Sequence, residues 1–301
     1  MTTTLHAINA LEESIGNTPL VPLLWPSLPP RVELWAKAEW RNPGGSVKDR
    51  AARAIVEDAF KARQLPAKRL LDASSGNTAI AYAMLGAIRG FDVTILLPAN
   101  ASQERKAVLR GYGAEVIETN SLEGMDGAIR SARALAEGRP DRYCYADQYG
   151  NPANTRAHYE ATGPEIWRQT RGRVTHLVAG LGTTGTLMGA GRFLKERARD
   201  IKTIAVEPDD GFHGIEGLKH LPSTIVPGLY EPSLVDRTER VSTEEAYEMA
   251  RWLASRHGYF VGPSSGAAAV AALRLAETLD EGVVVAIFPS GGERYLSLGL
   301  W

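Results

Sequence analysis

The stretch RLLDASSGNTAIAYAMLGAIRGFDVTILLP, residues 69–98, sets the architecture. Arg69–Leu71 reads as a short strand that runs into Ser74-Ser75-Gly76-Asn77-Thr78. Residues 78–89 are apolar nearly all round and read as a buried helix. FDVTILLP (91–98) reads as a second strand, which Pro98 ends. Apolar strands that alternate with helices belong to parallel sheets covered on both faces.

The same rhythm extends in both directions. Upstream, RVELWAKA (31–38) alternates as a strand, and 49–63 carries a helical stripe at Ala52, Ile55, Val56 and Phe60. Downstream, Ser102 is placed to cap a helix over 103–111 that Gly113 ends. A strand at 114–119, a helix at 124–137 and a strand at 143–146 follow. NPANTRAHYEATGPEIWRQT (151–170) reads as a helix in two pieces, broken at Gly163-Pro164. Strands are expected at 174–180, 201–207 and 283–288, and helices at 186–199, 243–257 and 265–278. Residues 208–238, rich in Gly and Pro, read as one long loop region, and NPAN near residue 150 marks a domain division. The fold class is α/β, with parallel-rich sheets and helices on both faces.

The chain has 301 residues, 44% apolar and 23% charged, which is ordinary for a globular protein. Thirty-four Lys and Arg nearly balance 35 Asp and Glu, so neither nucleic acid nor a membrane surface is expected as the main partner. A single cysteine, Cys144, excludes an intramolecular disulfide and suits a reducing, cytoplasmic setting. MTTTLHAINALEES lacks a basic region followed by an apolar core, so no signal peptide is expected.

Four loops at strand-to-helix junctions carry chemistry, where α/β proteins bind ligands. In Asn42-Pro43-Gly44-Gly45-Ser46-Val47-Lys48-Asp49-Arg50, a tight turn sets a lysine at a helix start. The positive end of the helix dipole disfavours its charge there. Such a lysine either lies on the surface or has the lowered pKa that suits a Schiff base. Ser74–Thr78 is either a plain helix cap or a cradle of N–H groups for a carboxylate. Gly180-Leu181-Gly182-Thr183-Thr184-Gly185-Thr186 matches GxGxxG, and Glu207 ends the next strand as a dinucleotide site requires. Its three threonines favour a phosphate monoester instead, and it lies mid-chain, whereas the dinucleotide fingerprint opens the first βαβ unit. Gly262-Pro263-Ser264-Ser265-Gly266 alone would be only a capped helix.

Taken together and in this order, NPGGSVKDR, SSGNT, DQYGNPANT, TGPEIW and GLGTTGT resemble the fold-type-II pyridoxal-phosphate enzymes. Among these the chain is most similar to the B-type cysteine synthases, from Ile15-Gly16-Asn17-Thr18-Pro19-Leu20 to Gly292–Ser297. The resemblance implies a tryptophan synthase β-like fold with a large cofactor-binding domain (1–40 plus 153–301) and a small mobile domain (41–152). Lys48 matches the lysine that holds pyridoxal 5'-phosphate and then serves as general base. Asn77 matches the partner of the cofactor's 3'-oxygen, and Gly182, Thr183, Thr184, Gly185 and Thr186 match the phosphate cradle. Ser264 matches the hydroxyl facing the pyridine nitrogen; being uncharged, it favours loss of a β-substituent over transamination. Ser74, Ser75, Asn77, Thr78 and Gln148 match the groups that hold the substrate carboxylate, and Gly217 matches a glycine at the active-site mouth. No metal is implied.

The implied reaction replaces the leaving group of an O-activated serine, O-acetylserine or O-phosphoserine, by a sulfur nucleophile to give L-cysteine. Sulfide, thiosulfate or the thiocarboxylate of a small sulfur-carrier protein would serve, and a homodimer is implied. A cystathionine β-synthase or a serine/threonine dehydratase of the same fold is the alternative within the class, and an NAD-dependent dehydrogenase the alternative outside it. Two positions depart from the family pattern: Ser74 replaces threonine, and Ala79 replaces glycine and adds a methyl beside the carboxylate loop. Lys219 falls where members that use a sulfur carrier have an arginine, and it is the candidate ligand for a phosphate leaving group. His213 and His220 lie on the same loop.

Overall fold

A computed structural model of this chain describes residues 10–301. The opening stretch read for a signal sequence lies outside the described residues as far as residue 9. The chain divides into two compact units. One comprises Asn42–Asn154 with the described part of Met1–Ile15, and the other comprises Gly16–Arg41 with Thr155–Trp301. Strands β1 (Leu20–Pro22) and β2 (Val32–Ala38) come first in the chain and belong to the second unit.

The first unit is built on four parallel strands, β3 (Arg69–Ala73), β4 (Val93–Pro98), β5 (Glu115–Thr119) and β6 (Tyr143–Tyr145), in the order β5-β4-β3-β6. Its helices are α1 (Lys48–Lys61), α2 (Asn77–Arg89), α3 (Gln103–Gly111) and α4 (Gly124–Gly138). Successive strand residues point to opposite faces. Thus Leu70 joins Ile55 and Val56 of α1 and Ile80 of α2 in one core, while Leu71 and Ala73 join Ala128, Ile129 and Ala132 of α4 in another. Burial on both faces accounts for the unbroken apolar run in β4. The Ser102 hydroxyl caps α3 by accepting from the Arg105 N–H.

In the second unit, α5 (Pro152–Ala157) leads through a π-helical turn, His158–Thr162, into α6 (Gly163–Gln169). Strand β7 (His176–Gly180), α7 (Gly185–Arg197), β8 (Lys202–Pro208), β9 (Arg237–Val241), α8 (Thr243–Trp252), α9 (Pro263–Ala276) and β10 (Gly282–Phe288) follow. The sheet order is β1-β2-β10-β7-β8-β9, parallel except where β1 runs antiparallel to β2. In central β10, Val284, Ala286 and Phe288 pack with α9, and Val285 and Ile287 with α7. A buried ion pair ties the Asn17-Thr18 turn to α6. Lys37 Nζ lies 2.6 Å from Glu165 and also donates to the Thr18 carbonyl and to Gln169. The other Glu165 oxygen accepts from the Asn17 N–H.

Three features differ from the sequence expectation. The backbone stays helical through Gly163. The irregularity falls one turn earlier, as the π turn, which makes room for a proline that has no N–H to offer. Residues 237–241 of the expected loop form β9, an edge strand whose charged sequence RTERV hides it from a hydrophobicity reading. LVP at 20–22 is the second strand that the pattern missed.

Candidate active site

Lys48 is the first residue of α1 and is half-buried. The preceding turn is closed by the Gly45 N–H donating to the Asn42 carbonyl and the Gly44 N–H donating to Asp49 Oδ2. A Cβ on Gly44 would sit 2.4 Å from Asp49 Oδ1, so the approach requires glycine. Ser46 Oγ accepts from the Lys48 N–H and fixes the lysine at the helix start.

The SSGNT loop leaves β3 and opens α2. Ser74, 6% exposed, uses its hydroxyl to accept from the N–H groups of Gly76 and Ala79. Thr78 Oγ1 donates to Gln148 Oε1 at 2.6 Å, and Gln148 Nε2 donates to the Ala73 carbonyl. The fold therefore brings together the loop and Gln148, 70 residues apart in the chain. Ser75 and Asn77 lie half-buried in the same loop, and Arg105 reaches the Ser75 carbonyl. Ala79 is fully buried, and its methyl packs into the apolar core of α1 and α2. The extra carbon therefore serves packing there.

Three predicted elements meet within the second unit. The 180–186 loop links β7 to α7, with Thr184 in a left-handed conformation, φ 69°. A Cβ on Gly182 would lie 2.4 Å from the Gly217 carbonyl oxygen, so the 215–219 segment packs directly on this loop. The Lys219 N–H donates to the Leu181 carbonyl at 2.7 Å, and Lys219 is only 9% exposed. Ser264, at the second position of α9, is buried, and its Oγ stands 3.9 Å from where a Gly217 Cβ would be. His213 Nδ1 accepts from the Ile215 N–H, and burial pushes its pKa below the usual histidine value. His220 contacts Ser223. Glu207, the residue a dinucleotide site would use, is buried and takes Nε of Arg240 at 3.2 Å.

The Thr184 hydroxyl is buried with no hydrogen-bond partner. An orphaned hydroxyl costs free energy unless a ligand meets it. Beside it are the N-terminal amides of α7, Thr183, Thr186 and a glycine too crowded for a side chain. This donor set fits a phosphate monoester.

Sequence reasoning missed two residues next to these loops. His158, in the π turn, lies 3.2 Å from Thr186 Oγ1 through Nε2 and 2.9 Å from Thr162 Oγ1 through Nδ1. The four-residue spacing to Thr162 was visible, but the reach to Thr186 was not. Asp72, the one charged residue between the apolar strand and SSGNT, is 1% exposed. Among the described residues, no group of three or more His, Cys, Asp and Glu side chains could hold a metal ion.

Comparison with known proteins gives this arrangement its class. The family described as pyridoxal-phosphate dependent enzyme matches residues 11–290. A cysteine synthase of Aquifex aeolicus is 50% identical over 295 residues, covering 95% of this chain and 90% of its own. Cysteine synthase B of Salmonella typhimurium is 44% identical, covering 98% and 96%. The crystal structure of a cysteine synthase from Entamoeba histolytica superposes with a TM-score of 0.91 at 38% identity, covering 97% of this chain and 90% of that one. The chain belongs to the pyridoxal-phosphate dependent enzymes and, within them, to the cysteine synthases. Pyridoxal 5'-phosphate is its cofactor, and neither the dehydrogenase reading nor the alternatives of the same fold are favoured. No described helix is long and apolar enough to cross a membrane.

Proposed function

We propose that this chain forms L-cysteine by replacing the ester group of an O-activated serine with a sulfur nucleophile, and that the residues above divide the work as follows. The cofactor supplies the electron sink that makes the substrate Cα–H acidic. Lys48 would hold the cofactor through Nζ, and the same amine, placed as general base, would take the substrate's α-proton and return it to Cα. The amides and hydroxyls of 74–78, with Gln148, hold the substrate carboxylate. Asn77 would orient the cofactor ring, and Gly182–Thr186 would hold its phosphate. Ser264 would offer an uncharged hydroxyl to the cofactor's ring nitrogen, which favours loss of a β-substituent over transamination. Gly217 lies at the entrance.

The observation that carries the cofactor reading is the orphaned Thr184 hydroxyl inside the glycine–threonine cradle. Exchanging Thr184 for alanine should weaken retention of pyridoxal phosphate and leave the fold intact. Unchanged retention would remove the cradle from this role.

The ester is the finer question. Burial of Lys219 against Leu181 supports a built cation over a solvated surface lysine, and we assign it to the phosphate of O-phosphoserine. The same contact with the 180–186 loop supports a second reading, in which Lys219 balances the cofactor's phosphate. Lys219→Ala separates them: selective loss of the O-phosphoserine reaction supports the first, and loss of cofactor supports the second. A homodimer, a small sulfur-carrier partner and a cytoplasmic location belong to the same reading. Light scattering and pull-down with a thiocarboxylated carrier would test the first two.

A further inference from the structure

Beneath the SSGNT loop lies a group that no step above uses. Asp72, the fourth residue of β3, is almost fully buried. Its Oδ1 accepts from the Ala73 N–H at 2.8 Å and its Oδ2 from the Gln148 N–H at 3.3 Å. Both donors bear on the loop. The Ala73 carbonyl takes the Gln148 side-chain amide, and Gln148 takes the Thr78 hydroxyl. One carboxyl thus clamps the Ala73 and Gln148 peptides, which the Gln148 side-chain amide also joins, and so fixes the Gln148 side chain that Thr78 meets.

The groups around it make its charge state responsive. Tyr82 from α2, Tyr145 from β6, and Asp147 and Tyr149 from the segment after β6 act on it or are acted on by it, and none can be positive. Burial, opposed by the two N–H donors, pushes its pKa from 3.8 up to about 7. The Tyr82 hydroxyl is fully buried with no hydrogen-bond partner, and Asp72 is the charged group that acts on it most strongly.

We propose that Asp72 is a positioning residue for the substrate carboxylate, acting through the Ala73 and Gln148 peptides, and that ionised Asp72 holds the loop in its binding form. A proton on Oδ2 faces the Gln148 N–H donor to donor and releases that end of the clamp, while ionisation restores it. The proposal rests on the reading that 74–78 and Gln148 bind that carboxylate.

The test measures binding of L-alanine, which has the α-carboxylate but no leaving group, to the holoenzyme by calorimetry at pH 6 and pH 8.5. Asp72→Asn should bind nearly as wild type at pH 6, where wild-type Asp72 is largely protonated, and about tenfold more weakly at pH 8.5. In turnover at pH 8.5 it should raise KM for the amino-acid substrate about tenfold with kcat within about twofold, because positioning acts on binding. Tyr82→Phe keeps the ring and removes the hydroxyl that favours the ionised form of Asp72, so the midpoint of the pH dependence should move up. A ratio between Asp72→Asn and wild type that is flat with pH, or tighter binding by the variant at pH 8.5, would overturn the proposal. Gln148→Ala separates the two levels. If it leaves L-alanine affinity unchanged, the carboxylate-loop reading fails. If it weakens binding while Asp72→Asn does not, only the inference fails.

Discussion

At the scale of single residues, Lys48 carries the sharpest expectation. Lys48→Ala removes the amine that holds the cofactor and moves the proton, so turnover should fall to background. Borohydride reduction followed by peptide mass spectrometry should locate the cofactor on the Lys48 peptide of the wild type, and label on another lysine would contradict the assignment. Lys219→Ala should lose a charge-assisted contact of about 1.5–3 kcal/mol, roughly tenfold to a hundredfold in affinity for O-phosphoserine. O-acetylserine, uncharged at that end, should react almost as before. Lys219→Arg should keep the phosphate activity, and raised salt should weaken the phosphate reaction more than the acetate one. Equal slowing of both esters with the cofactor retained would make Lys219 a structural residue of its loop.

At the scale of elements, the ion pair of Lys37 with Glu165 explains why the turn at Asn17-Thr18 accompanies the strand at 32–38 and the helix at 163–169. Lys37→Met should destabilise the second unit by about 3–5 kcal/mol, because it leaves a buried carboxylate without its cation. Thermal unfolding of the variant checks this, and a Tm within a degree of wild type would contradict it. Elements were most legible where a strand or helix had a strong period and a clear stop. Residues 69–98 could be read to within two residues at each boundary, since β3, α2 and β4 are apolar and Pro98 ends the last of them. β9 could not be read, because an edge strand needs a hydrophobic face on one side only and RTERV shows mainly charge. The π turn at His158–Thr162 was likewise hidden, since Gly163-Pro164 draws attention to the wrong turn.

At the scale of the molecule, the loops were visible as motifs, but contacts between distant segments were not. Nothing in SSGNT or DQYGNPANT says that Thr78 donates to Gln148, and nothing in GLGTTGT says that Gly217 packs on Gly182. The buried Asp72 also leaves a mark on the whole protein. Its carboxyl is raised, so the folded state binds a proton that the unfolded state has released between about pH 4 and pH 7. Its contribution to stability is therefore fully present below the unfolded value of 3.8 and is lost as pH rises through about 7. The shift from 3.8 to about 7 corresponds to about 4 kcal/mol across that window. Denaturant unfolding at pH 5 and pH 8 should show wild type losing stability relative to Asp72→Asn as pH rises, and parallel curves would contradict the shift.

The central claim is that this chain makes L-cysteine from an activated serine with Lys48 as its working amine. Its most direct test supplies O-acetylserine and O-phosphoserine separately, each with sulfide, to the wild-type holoenzyme and to Lys48→Ala. L-cysteine and the released acetate or phosphate are then quantified. The account predicts one L-cysteine per acetate or phosphate released with at least one ester in the wild type, and none above background in the variant. No L-cysteine from either ester in the wild type, or undiminished formation in Lys48→Ala, would contradict it.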